Sequence, residues 1–379
     1  MNTVLAIFLI AASGYLLGSI KIGGIKLGSS GVLLSALVFG HFSQELGITA
    51  IPAAVRNLGL ACFVGSVGFI AGPQFFRDFK KNAASYILLG LLIPLSGMAT
   101  CVVLTLLSGH RPELMVGLLT GALTSTPGLA AAQEASGELI DLATTGYAIG
   151  YPFGIVGIVL FVQIIPKILH IDMEQERAAF QAAQSSKAKA YTGKLAKIDP
   201  AGFGAYTLAV SLGVLLGQVQ VPLPGGATFS LGTAGGPLIL GLIFGHFGHF
   251  GALDVSVPSP TLKTLREFGL MLFLVGAGFS GGIGFIETLQ TEGMLLFVYG
   301  AIMTTVPLLV GYFFAAKVLK MRLLNNLGAI TGGRTSTPAL GALISVAGTD
   351  DVATAYAATY PIALVTIVLC SQFVVILLH

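Results

Sequence analysis

Thr124-Ser125-Thr126-Pro127 returns as Thr335-Ser336-Thr337-Pro338 in a chain of 379 residues that is otherwise strongly apolar. The echo continues in order along the chain. Phe39-Gly40-His41-Phe42 returns as Phe244-Gly245-His246-Phe247, and Arg56-x-x-Gly59-Leu60 as Arg266-x-x-Gly269-Leu270. Gly68-Phe69-x-x-Gly72 returns as Gly278-Phe279-x-x-Gly282, and Tyr151-Pro152 as Tyr360-Pro361. The offset runs from 205 residues (His41 to His246) to 211 (Thr124 to Thr335). One half has been made twice, so any fold must be buildable from two like units. Duplicated apolar halves, each with a Gly/Pro break at a matching place, are a sequence sign of secondary transporters.

Apolar residues make up 55% of the chain and charged residues 9%, against roughly a quarter charged in soluble domains. Several runs of about 18–25 residues carry almost no charge, enough to cross a hydrocarbon core of ~30 Å. These numbers exclude an ordinary soluble domain. Met1 to Ile20 has no basic leading region, and Lys21 and Lys26 follow the apolar stretch, so no cleavable signal is expected. Cys62, Cys101 and Cys370 share no metal-ligand spacing and read as small buried hydrophobes. The basic residues are scattered at segment ends, so no nucleic-acid partner is expected. With no Trp in the chain, Tyr and Phe are left as interfacial anchors.

The chain divides into a first membrane repeat (1–170), a cytoplasmic linker (171–200) and a second membrane repeat (201–379). Each half holds six apolar segments: 3–20, 28–47, 57–76, 83–108, 113–136 and 143–169, then 203–219, 228–248, 263–284, 293–316, 324–347 and 352–378. The linker carries Glu174, Glu176, Arg177, Lys187, Lys189, Lys194 and Lys197 and reads as solvated and partly helical. The fifth segment of each half is cut by its Thr-Ser-Thr-Pro into two pieces of about ten residues, each spanning about half a bilayer. Proline breaks a helix by removing a donor and clashing with the preceding turn. Irregular backbone at that depth is tolerated where it is buried in protein or lines a cavity. A kinked crossing helix is the alternative.

Loop charges set the expected topology. The first half has basic loops at Lys21/Lys26 and Arg77-Asp78-Phe79-Lys80-Lys81. The counterpart of the latter is acidic, Glu287 to Glu292, and the basic loop of the second half is Lys317, Lys320 and Arg322. Basic loops favour the cytoplasm, so the halves are expected to be inverted, with five crossings and one broken, re-entrant segment each. Met1 and His379 then lie outside and the linker inside. Arg56 and Arg111 stand outside, against the rule.

The two breaks are the expected substrate site: Thr124, Ser125, Thr126 and Pro127, with Thr335, Ser336, Thr337 and Pro338. Freed N–H and C=O groups at helix ends carry partial charge, and N-termini receive anions. Arg334 precedes the second break, where its counterpart is Leu123. Its planar fork suits a carboxylate; the alternative is a charge marking the membrane rim. His41 and His246 read as structural residues near helix ends, and Asp141, Asp350 and Asp351 as loop residues. The paired Gly-x-x-x-Gly motifs read as packing sites. No nucleotide loop, metal-site spacing or nucleophile motif stands in a plausible context, so neither an enzyme nor a cofactor or metal is expected.

Together, Gly68-Phe69-Ile70-Ala71-Gly72-Pro73-Gln74-Phe75-Phe76, Gly121 to Ala130, Gly333 to Leu340 and Tyr151-Pro152 resemble the bacterial aspartate–alanine exchanger family. The resemblance implies an all-α polytopic membrane protein of the bacterial inner membrane. It implies two inverted repeats and elevator-like movement, as in cation–proton antiporters and bile-acid symporters, often as a homodimer. The implied cargo is a small carboxylate or amino acid such as aspartate, alanine or succinate, with exchange or coupling to a proton or sodium ion. Members of that family commonly carry soluble domains between the halves, where this chain has only Asp172 to Asp199. A channel-like pore is the competing class.

Overall fold

A computed structural model describes residues 2–22, 25–26, 29–48, 50–184, 195–222, 228–283 and 294–378. The apolar segments become helices, because in hydrocarbon each segment must satisfy its own backbone polar groups. In order they are α1 (Thr3–Ser19), α2 (Ser30–His41), α3 (Ala53–Ser108), α4 (Pro112–Ala122), α5 (Thr126–Ser136), α6 (Ile140–Ile168) and α7 (Met173–Gln184). There follow α8 (Phe203–Gln218), α9 (Gly232–Phe247), α10 (Ser259–Gly282), α11 (Met294–Phe313), α12 (Leu323–Gly333), α13 (Thr337–Ala347) and α14 (Ala353–Leu378). Among the described residues, five stretches are long and apolar enough to cross a membrane: Ala53–Pro73, Asn82–Ser108, Leu142–Ile168, Met294–Val318 and Asp350–Leu378. The protein is therefore a multi-pass membrane protein.

Several expected crossings are shorter than drawn. α2 has 12 residues, about 18 Å of helix, because the chain leaves the helix after His41 in a series of turns. α3 runs for 56 residues but bends at Asn82, where φ −119° and ψ 15° leave helical space. It is thus two crossings joined without a loop. The side chains of Arg77 to Lys81 and of Lys21 and Lys26 lie outside the described residues, as do 284–293, which hold the acidic loop.

The element order from α8 to α14 repeats that from α1 to α6, with the two limbs of α3 matching α10 and α11. The halves interlock through their glycines. A Cβ on Gly68 or Gly72 of α3 would strike the Leu238 or Leu242 carbonyl of α9. On Gly278 or Gly282 of α10 it would strike the Leu33 or Leu37 carbonyl of α2. Only hydrogen at these positions lets the backbones approach so closely.

The broken segments turn back on themselves. α4 runs parallel to α6, with Gly117 against Ala143 and Gly121 against Tyr147. α5 returns antiparallel, and Gln133 Nε2 donates to Thr144 Oγ1 at 2.9 Å. α12 lies parallel to α14, with Gly328 against Val352 and Gly332 against Tyr356, and Thr337 of α13 meets Tyr356 at 3.4 Å. Each break is the tip of a hairpin. One buried cluster joins Leu114, Ala143 and Leu296, at the beginnings of α4, α6 and α11, to Val374 and Val375 near the end of α14.

The first part of the linker is docked rather than solvated. Asp172 Oδ1 caps α7 by accepting from Glu174 N at 2.9 Å. Phe180 is buried in the main core, and Arg177 Nε donates to the Ala347 carbonyl, at the end of α13, at 2.6 Å. Farther on, Asp199 accepts from the backbone N–H groups of Gly204 and Phe203 at the start of α8. Those N–H groups, that of Gly204 foremost, hold its carboxyl below the usual range.

Candidate functional site

Both hairpin tips are built alike. Thr124 N donates to Gly121 O at 2.8 Å and Ser125 N to Thr120 O at 2.9 Å. Thr335 N donates to Gly332 O at 2.9 Å and Ser336 N to Thr331 O at 3.0 Å. This double bond pattern closes a helix C-terminus and normally places glycine at the left-handed residue. Here that residue is threonine twice, Thr124 at φ 58° and Thr335 at φ 52°. A β-branched residue in that region costs on the order of 1–3 kcal/mol, and such strain clusters at functional sites. The next helix starts at once: Ser125 Oγ accepts from Gly128 N at 3.2 Å, and Pro127 and Pro338 sit in first turns that tolerate them.

The tips face a cavity of about 320 Å³, at the low end of small-molecule sites. Six of the expected residues line it: Thr124, Ser125, Pro127, Thr335, Thr337 and Pro338. Tyr151 and Tyr360, a matched pair in the repeat, also line it, each in contact with a second tyrosine at 5.0 Å (Tyr147) and 5.3 Å (Tyr356). The remaining wall comes from Arg56, Asn57 and Leu60 of α3, from Phe273 and Leu364, and from Ser230 to Ala234 at the start of α9. N-terminal residues of α5, α9 and α13 therefore meet there. First-turn N–H groups lack intrahelical acceptors and carry the positive end of the dipole. Among the described residues, the Thr124 and Thr335 hydroxyls are buried and have no hydrogen-bond partner.

Arg334 is placed differently from the expected ligand. It does not line the cavity and is 0% exposed. Its Nη1 donates to the Thr304 carbonyl of α11 at 2.6 Å, and its Nη2 to the Ala122 carbonyl, the last of α4. The arginine of one tip therefore caps the negative end of the other hairpin's first helix. Ser336 is fully buried and absent from the wall, and among the described residues its hydroxyl has no partner. The Thr126 side chain lies outside the described residues.

Arg56 takes the place at the wall that the sequence assigned to Arg334. Among the described residues it has no ion-pair partner, and it stands in the first turn of α3, the end of a helix that disfavours a cation. The sequence carried one signal for it, an arginine on the expected outer side against the basic-inside rule. His41 and His246 sit in the last turns of α2 and α9, off the cavity wall, in ring contacts with Phe42 and with Phe76 and Phe247. Asp350 pairs with Arg266. The Asp141 side chain is outside the described residues.

The model of a permease family, the aspartate–alanine exchanger type described as a predicted permease membrane region, matches the chain twice, over residues 6–167 and 205–376. Among curated relatives, an uncharacterized transporter of Bacteroides fragilis is 28% identical over 527 positions, covering 98% of each chain. One of Bacteroides thetaiotaomicron is 27% identical, again over 98% of each. One of Geobacter sulfurreducens is 26% identical, over 100% of this chain and 98% of its own. These alignments are longer than the 379 residues here, so the relatives hold residues with no counterpart in this chain.

Proposed function

This chain belongs to the aspartate–alanine exchanger family of membrane permeases, and on that premise we propose that it is a secondary carrier of small carboxylates or amino acids, such as aspartate, alanine or succinate, working by exchange across the bacterial inner membrane. The observation that carries the reading is the company at the cavity: three helix N-termini, and, among the described residues, a guanidinium with no ion-pair partner and two strained threonines whose hydroxyls have no hydrogen-bond partner. Partial positive charge from the helix ends and the arginine fork favour a carboxylate. In a water-poor site each such contact is stronger than in bulk water. The hydroxyls supply donors or acceptors without adding charge. Two inverted halves agree with the cluster in which the beginning of α6 meets the end of α14. With the linker in the cytoplasm, the mobile core carries the hairpins past the interlocked scaffold, in a homodimer, with a proton or sodium ion in any coupled mode.

Counterflow in proteoliposomes tests this reading. Unlabelled substrate inside should speed the entry of labelled substrate through a carrier. A pore gives no such acceleration, and that result would replace the carrier with a channel.

The threonines offer a finer test. Thr124→Val and Thr335→Val keep the shape and remove only the hydroxyl. Each is expected to weaken substrate affinity by up to about tenfold, the worth of one hydrogen bond. The ligand-free protein should keep its thermal stability, because a buried hydroxyl with no partner contributes nothing to hold the fold. Unchanged affinity in both variants places the substrate elsewhere.

A further inference from the structure

One cation stands where the two broken segments meet. Arg334 is the residue that follows α12, so its own chain places it at the negative end of that half-helix. Its side chain crosses to the negative end of the other one. The last four carbonyls of α4 are all satisfied. Leu119 O accepts from Leu123 N at 2.8 Å, Thr120 O from Ser125 N at 2.9 Å and Gly121 O from Thr124 N at 2.8 Å. The fourth, Ala122 O, accepts from Arg334 Nη2. Arg334 Nη1 donates to the Thr304 carbonyl of α11 at 2.6 Å. Thr304 and Ser336 also carry buried hydroxyls that have no hydrogen-bond partner among the described residues. Freed carbonyls at half-helix C-terminal ends are the ligands with which secondary carriers hold a coupling ion. Here a guanidinium occupies that place, 0% exposed and off the cavity wall.

We infer that the Arg334 guanidinium is a built-in replacement for a coupling metal ion, so that the protein moves its carboxylate without sodium. This rests on the carrier reading above and narrows it. An arginine keeps its proton inside a protein and is bonded to the chain. It therefore supplies positive charge in every state of the core and is released to neither side. A free ion binds and leaves with the substrate, and only such an ion can couple its gradient to transport. A sodium ion brought to these oxygens would be repelled by the guanidinium already on them, most strongly where water is scarce. The same repulsion explains why the arginine is single. Duplication gives both halves the tip, yet Leu123 stands at the matching position of the first. Two negative helix ends that meet are served by one cation, and a second beside it would add like-charge repulsion to the cost of burying it.

The test measures counterflow of succinate, aspartate and alanine by the full chain in proteoliposomes, with sodium or with choline in its place at constant ionic strength. A coupling ion changes its partner's affinity about 5- to 150-fold. For the parent protein, choline in place of sodium should cost neither affinity nor rate, and a loss on that scale overturns the inference. Two variants of similar length separate charge from packing. Arg334→Lys keeps a cation and should exchange without sodium, more slowly than the parent. Arg334→Met keeps a flexible chain without charge and leaves the Ala122 carbonyl to a free ion. Its ligand-free melting temperature should rise by a few degrees when sodium replaces choline, by mass action, while the parent and Arg334→Lys proteins do not move. Equal responses of the lysine and methionine variants to sodium would make Arg334 a packing residue and overturn the inference. Should Arg334→Met fail to fold, the parent's behaviour in choline decides by itself. Absence of counterflow with every substrate removes the carrier reading, whereas the melting curves need no substrate and judge the resident cation alone.

Discussion

Arg56→Ala is expected to lower substrate affinity about ten- to a hundredfold and to leave the ligand-free protein nearly as stable as the parent. The two halves of this expectation have separate causes. A hydrogen bond to a charged group contributes roughly 1.5–3 kcal/mol, which converts to that range of affinity. Among the described residues, though, Arg56 has no ion-pair partner to lose. Its stem rests on Gly276 of α10, where a Cβ would meet the Arg56 Cβ and Cγ, so truncation removes modest packing and relieves a cation at a helix N-terminus. Arg56→Lys keeps the charge and loses the fork, and should fall between parent and alanine. Affinity is read by thermal-shift titration and by counterflow, with stability from the ligand-free melting curve. A well-folded Arg56→Ala protein with parent affinity would mean that the cavity at the tips is not where the anion binds.

The architecture was readable because duplication leaves its mark in the order of short motifs. Thr-Ser-Thr-Pro marks both hairpin tips since proline and freed backbone groups act locally, within one turn. The glycine pairs at 68/72 and 278/282 were readable as packing sites for the same reason. Arg56 was not readable as a wall residue. Its position depends on where α3 crosses α9, whose start lies about 175 residues away, and no local pattern encodes that crossing. The place of Arg334 off the cavity wall was hidden for the complementary reason. An arginine beside a break has two ways to be satisfied, by a ligand or by the carbonyl ends of another helix. Only the three-dimensional meeting of the tips chooses between them. Phe180 and Arg177 show the same limit: a charged linker reads as solvated until Phe180 packs into the main core.

Arg334→Ala is expected to fail in the opposite manner to Arg56→Ala, losing stability first. The guanidinium is fully buried and gives one donor to Thr304 O at 2.6 Å and another to Ala122 O. Both acceptors belong to helices it does not sit on, and Ala122 closes α4, where a cation offsets the negative helix end. Truncation leaves the carbonyl of Ala122, at the end of α4, short of a donor, at roughly 1–3 kcal/mol, and removes a second donor from the Thr304 carbonyl, which lies inside α11. Part of that loss is offset because the cost of burying a cation is removed with it, so a net destabilisation of about 1–3 kcal/mol is expected. The contact also holds the two tips against each other across the site. Transport should therefore fall steeply, while the fraction that remains folded still binds substrate within a few-fold of parent affinity. Arg334→Lys keeps the charge with a compact head that reaches one carbonyl or the other, and should recover part of the stability. Melting curves with and without substrate separate the two arginines cleanly: Arg56 variants lose the ligand-induced shift, and Arg334 variants lose the baseline. An Arg334→Ala protein with parent stability and no binding would return Arg334 to the substrate site and make the carbonyl contacts a resting place for a ligand-binding group.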